Sequence, residues 1–82
     1  MAYYVYILIS SDRKRTYTGC TQNIEQRLNE HNTGKVKSSK PYLPYKVLYS
    51  EQFATLKEAR SKERYFKSTS GRKKIKSLLQ DR

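Results

Sequence analysis

Five residues have the types and spacing to do chemistry together: Tyr6, Tyr17, Arg27, His31 and Glu63. The combination suits work on phosphodiesters. A single carboxylate can hold a Mg²⁺ ion that keeps most of its waters and shares phosphate oxygens with a substrate. Arginine offers a fixed fork of donors for the charge that grows on phosphorus, and a phenol or imidazole can take or relay a proton from water. For Glu63 there is a structural alternative. A carboxylate set against a core needs a cation whatever its purpose, and an ion pair with Arg27 meets that need as well as a lysine or a metal does.

These residues can meet only if the chain positions them. Tyr3 to Ile9 is rich in aromatic and β-branched residues and reads as a strand, with Tyr4, Tyr6 and Leu8 on one face. Ser10 to Arg15 is a connection of hairpin size, and Thr16-Tyr17-Thr18-Gly19 resumes strand composition, so the hairpin sets Tyr6 and Tyr17 near the sheet centre. Asn23 followed by Gln26 is a capping box that opens a helix over about Ile24 to His31, with Gly34 to end it. On that helix Ile24 and Leu28 form the apolar stripe, and Arg27 and His31 fall beside it.

From Gly34 to Tyr45 the chain reads as an extended basic loop, and Lys46 to Phe53 as a third strand. Thr55 with Glu58 is a second capping box, opening a helix to about Lys67. Its buried stripe is Leu56, Ala59 and Phe66, and Glu63 lies within that stripe. Ser68-Thr69-Ser70-Gly71 reads as a break, and a last helix from Arg72 buries Ile75, Leu78 and Leu79. Tyr42, Tyr45, Tyr49 and Tyr65 read as ordinary packing residues. The order β-β-α-β-α-α predicts an α+β domain with a small sheet.

The chain has 82 residues and a formal charge of +11. A chain of this length buries only about 60–65% of the surface it exposes when unfolded, so one domain over residues 1–82 is expected and multi-domain machinery is excluded. A hydrophobic fraction of 35% would suit a disordered chain, but eight Tyr and two Phe supply the bulk for a modest core. No apolar run approaches the roughly 18 residues of a membrane span, and with no leader at the N-terminus the cytoplasm is the expected compartment. Cys20 and His31 are each the sole residue of their type, which excludes an internal disulfide, Cys-rich zinc sites and His-pair metal motifs. Any metal must be held by oxygen.

Charge gathers in the last third, where residues 55–82 carry 10 basic and 3 acidic side chains. Such a field attracts polyanions, and nucleic acid is the leading partner class. Lys35, Lys37, Lys40, Lys67, Arg72, Lys73, Lys74 and Lys76 offer phosphate contacts with no element that reads bases, so binding is expected to be electrostatic and largely independent of sequence.

The series of residues resembles the GIY-YIG nuclease superfamily, and in particular its small stand-alone members. Tyr4-Val5-Tyr6 stands where that family has its GIY triplet, and Tyr17-Thr18-Gly19 where it has YIG. Arg27 and His31 on a helix, Gly34-Lys35, and Glu63 on a second helix complete a match over nearly the whole chain. The resemblance implies a three-stranded antiparallel sheet flanked by helices, one divalent metal, Mg²⁺ or in its place Mn²⁺, on Glu63, and hydrolysis of phosphodiesters in double-stranded or branched DNA. It makes Tyr6 and Tyr17 the motif tyrosines, one of them orienting or deprotonating the attacking water, and Arg27 the stabiliser of the transition state. His31 matches a position that holds His or Tyr in the family.

There are departures from the pattern. Tyr4 replaces the first glycine of GIY and Thr18 the isoleucine of YIG. Cys20 stands where the DNA-repair excinuclease branch has a lysine, leaving Lys35, Lys37 or Lys67 to supply a cation, and Ile75 stands where many members have an asparagine. Larger relatives add a DNA-binding or partner-binding domain. The departures lead to an expectation of weak activity, and 82 residues leave no room for such a domain, so poor intrinsic specificity, a protein partner to supply it and a role in DNA repair are expected. The alternative is a non-catalytic basic nucleic-acid-binding module on the same fold.

Overall fold

The structure, a computed structural model, describes residues 2–34 and 44–80. Three strands, β1 (Tyr3–Ser10), β2 (Thr16–Thr21) and β3 (Tyr45–Phe53), form one antiparallel sheet in the order β2-β1-β3. Three helices complete the order β-β-α-β-α-α: α1 (Ile24–Asn32), α2 (Leu56–Lys67) and α3 (Thr69–Gln80). The α+β architecture expected from the sequence is the one observed.

β1 is central, and helices cover both of its faces. Val5 and Ile7 point to Ala59 and Phe66 of α2 and Ile75 of α3, whereas Tyr6 and Leu8 point to Tyr45 and to Ile24 and Leu28 of α1. A strand buried on both sides carries a continuous apolar run in place of alternation. Every residue from Val5 to Ser10 is accordingly at most 1% exposed.

Both N-caps form, each through the side chain of the capping residue, and the Asn23 amide donates to Thr21 Oγ1 instead of to Gln26. The Asn23 side chain accepts a hydrogen bond from the Gln26 amide at 3.0 Å, and Thr55 Oγ1 accepts from the Glu58 amide at 3.2 Å while donating to Glu58 Oε1 at 2.9 Å. After α1, Gly34 takes φ 81°, the left-handed conformation that ends helices cheaply in glycine. β3 starts one residue earlier than expected because Asn32 clamps it: the Tyr45 amide donates to Asn32 Oδ1 at 2.7 Å, and Asn32 Nδ2 donates to the Tyr45 carbonyl at 3.0 Å.

Three expectations are corrected. α3 begins at Thr69, not Arg72, because Ser68 alone makes the break: its backbone amide and hydroxyl both bond the Tyr65 carbonyl, and its carbonyl accepts from the Arg72 amide at 2.9 Å. Gly71 is therefore not a breaker. It sits buried in the first turn of α3, where the backbone of Tyr65 and Phe66 occupies the space a Cβ would need. Second, Leu56 is 41% exposed and does not join the core stripe. It opens α2 over a cavity instead. Third, at the far end Ile75 is buried and Leu78 packs against the core, but Leu79 is outside that cluster and its carbonyl accepts from Arg13 Nη2 at 3.1 Å.

Gly71→Ala tests the close α2–α3 contact. Backbone cannot yield as a flexible side chain does, so the substitution should destabilise the protein by about 1–3 kcal/mol, lowering Tm by roughly 4–8 °C per kcal/mol. An unchanged melting curve would show that the two helices are not so tightly apposed.

Candidate active site

A cavity of about 360 Å³ opens at the β2 edge of the sheet and reaches both faces, so that α1 and α2 each form one wall. Tyr6, Tyr17, Arg27 and Glu63 all line it. Four of the five residues singled out by type and spacing thus converge.

Gly19 explains how Tyr6 arrives. The two residues are paired across β1 and β2, and a Cβ on Gly19 would lie 2.7 Å from Tyr6 Cζ. Only glycine lets the ring lie across the edge strand and bring its hydroxyl to the opening. The Tyr17 ring stacks beside it, with centroids 6.4 Å apart and planes inclined by 22°.

Arg27 ties this wall together. Its Nε donates to Tyr6 Oη at 3.2 Å and its Nη1 meets Glu30 Oε1 at 3.1 Å, one helical turn on. Both partners of that ion pair are about one-third exposed, so its contribution to stability is at most about 1 kcal/mol. What it provides is orientation. Burial pushes the Tyr6 phenol above its ordinary pKa of 10, against the opposing hydrogen bond and charge of Arg27, so Tyr6 stays protonated at neutral pH. The Tyr6 hydrogen bond in turn raises the Arg27 pKa.

On the other wall Glu63 is 23% exposed, and its Oε2 receives Lys67 Nζ at 3.1 Å. The alternative of an ion pair between Glu63 and Arg27 is not realised: each has a partner on its own helix. α2 in fact presents two neighbouring stripes. Ala59 and Phe66 enter the core, whereas Leu56, Arg60 and Glu63 line the cavity. Sequence periodicity merges the two, since they are only about one residue's rotation apart.

Among the described residues no three His, Cys, Asp or Glu side chains stand together as a metal cage. A single carboxylate on a polar, water-accessible wall does fit Mg²⁺, which keeps several waters and takes its remaining ligands from substrate phosphate.

His31 is not on the cavity wall. It is fully buried, edge-on to the Tyr17 ring at 4.5 Å and tilted against Tyr45 at 6.0 Å. Of the basic residues expected at nucleic acid, Lys67 and Arg72 line an adjoining groove that shares Tyr17 with the cavity. Lys73, Lys74 and Lys76 are exposed on α3, and Lys35, Lys37 and Lys40 lie outside the described residues. The position of Ile75 is core, so no polar contact comes from it. Arg60 is the charged residue of the cavity that sequence reading missed. Its signal was there: three residues before Glu63, it shares that residue's helix face.

The chain is similar to known proteins over nearly its whole length. The family described as GIY-YIG catalytic domain matches residues 2–76. A UPF0213 protein of Streptococcus agalactiae serotype V is 42% identical over 78 residues, spanning 94% of this chain and 88% of its own. One from Syntrophus aciditrophicus is 41% identical over 80 residues, spanning 95% and 91%. The solution NMR structure of a UPF0213 protein from Bacillus halodurans superposes with a TM-score of 0.56 at 31% identity, over 95% of this chain and 85% of that one.

His31 gives a clean test of the packing behind Tyr17. Burial first, and the charge of Arg27 second, lower its pKa below 6.5. The unfolded chain therefore takes up this proton at a higher pH than the folded one. Its contribution to stability is complete above about pH 6.5 and is lost as pH falls toward the folded pKa, with a slope of at most about 1.4 kcal/mol per pH unit. As the sole histidine, His31 can be titrated by NMR without assignment ambiguity. A midpoint at or above 6.5 would contradict the buried placement.

Proposed function

Because this chain belongs to the GIY-YIG family, we propose that it is a divalent-metal-dependent endonuclease that hydrolyses DNA phosphodiester bonds with little intrinsic sequence preference. One observation carries the reading. Two phenols, a guanidinium and a carboxylate, brought from β1, β2, α1 and α2, line a single cavity at an open sheet edge. The strongly basic composition supplies the field that draws a polyanion to it.

Each side chain has a role that its surroundings favour. Glu63 is the residue to hold the divalent ion, which when bound supplies Lewis acidity toward phosphate oxygens and water. Tyr6 accepts from Arg27 and remains protonated, so its own hydrogen is left to donate into the cavity and orient the attacking water or a phosphate oxygen. Tyr17 is then the phenol that relays a proton from the water, with the Arg27 charge beside it. Arg27, already fixed by Tyr6 and Glu30, meets the charge that develops on phosphorus without reorganising. His31 acts through Tyr17, as the buried surface against which that ring rests.

Nicking of supercoiled plasmid, with Mg²⁺ and with chelator, tests the proposal. The wild type should nick only with the ion present. Tyr17→Phe and Arg27→Ala should each slow cleavage by about 10²–10³-fold while changing DNA binding little. Wild-type cleavage by either variant would remove its assigned role. Binding by the wild type without any metal-dependent nicking would identify a non-catalytic nucleic-acid-binding module instead.

A further inference from the structure

The charged groups on the cavity wall differ in how they are engaged. Arg27 is held by Tyr6 and Glu30, and Glu63 by Lys67. Arg60 is on the same wall as Glu63, one turn earlier on α2, yet the ion pairs among the described residues join Arg27 to Glu30, Lys62 to Glu51 and Lys67 to Glu63 and leave Arg60 out. Its side chain is exposed. The neighbouring thiol feels its charge: Cys20 is raised by burial and by Glu63, and Arg60 alone opposes them.

A guanidinium exposed at the mouth of a cavity and outside the ion pairs of the described residues keeps its five donors available to a ligand. A phosphate oxygen satisfies them in a bidentate fork. Arg27 and Arg60 stand on the two helices that wall the cavity, one on each face of the sheet, so a phosphate entering at the β2 edge meets a cation from either side.

Building on the nuclease reading, we propose that Arg60 is a substrate-binding residue that grips a DNA phosphate on the α2 wall, alongside Glu63 and facing Arg27. Its contact forms on binding. Arg27 is pre-oriented for the charge of the transition state, whereas Arg60 holds the strand in the ground state as well, so its loss should show first in affinity.

The test uses the full chain and a fluorescein-labelled DNA duplex, with binding followed by anisotropy in EDTA across a salt series and single-turnover cleavage followed with Mg²⁺. Arg60→Ala is compared with Arg60→Lys and with Lys46→Ala, which removes the same charge from exposed β3 at the opposite edge of the sheet. Arg60→Ala should weaken binding by about tenfold and reduce the salt slope by about one, and Lys46→Ala should do neither. Arg60→Lys should recover the salt slope but only part of the affinity, since an ammonium lacks the planar fork. Equal effects of Arg60→Ala and Lys46→Ala, or none from either, would overturn the proposal. A wild type that binds but never cuts would refute the nuclease reading, while the binding series would still decide the role of Arg60. A wild type that binds no DNA would refute both.

Discussion

The site depends on one steric allowance: the Tyr6 ring lies across Gly19. Tyr6 comes from the middle of a central strand that is buried on both faces, and its ring is itself part of the core on the α1 face. Because the paired residue on β2 lacks a Cβ, the ring extends over the edge strand and its hydroxyl reaches Arg27 Nε. Any side chain at position 19 would lift the ring and separate the phenol from the guanidinium. The hydrogen bond that orients Arg27 and the burial that keeps Tyr6 protonated both follow from this contact.

The second determinant is how α2 divides its inward surface. Ala59 and Phe66 seal the helix onto the sheet, and the adjacent line of Leu56, Arg60 and Glu63 is left facing the cavity. This arrangement lets a carboxylate approach the core without entering it. Glu63 keeps access to water and needs only the exposed Lys67 as a partner, an interaction weak enough to yield to a stronger cation. A fully buried Glu63–Arg27 pair would have locked both groups against each other and against any ligand.

The sequence made the elements legible where local chemistry sets them. Asn23 with Gln26 and Thr55 with Glu58 marked two helix starts, and the apolar run from Tyr3 to Ile9 marked the central strand. It failed where tertiary contact overrides local preference. Gly71 reads as a breaker, but it serves the close approach of α3 to α2 and permits that helix to begin at Thr69. Around the cavity, Arg27 and Glu63 were legible as polar residues at apolar helical stripes, and Tyr6 and Tyr17 as phenols that a hairpin sets near the sheet centre. Arg60 was missed because helical periodicity does not separate a stripe that faces a core from one that faces a cavity. His31 was placed inward correctly, but periodicity gives direction and not depth, and the ring lies behind Tyr17.

The proposed nuclease stands or falls with Glu63, the carboxylate on the cavity wall. Glu63→Gln keeps the shape and removes the charge, so the most direct measurement is Mg²⁺-dependent plasmid nicking by this variant, with its thermal melt and DNA affinity recorded alongside. If Glu63 holds the ion, the variant folds, binds DNA as well as or better than the wild type and does not nick it. A folded Glu63→Gln that nicks at the wild-type rate would show that Glu63 is not the essential ligand.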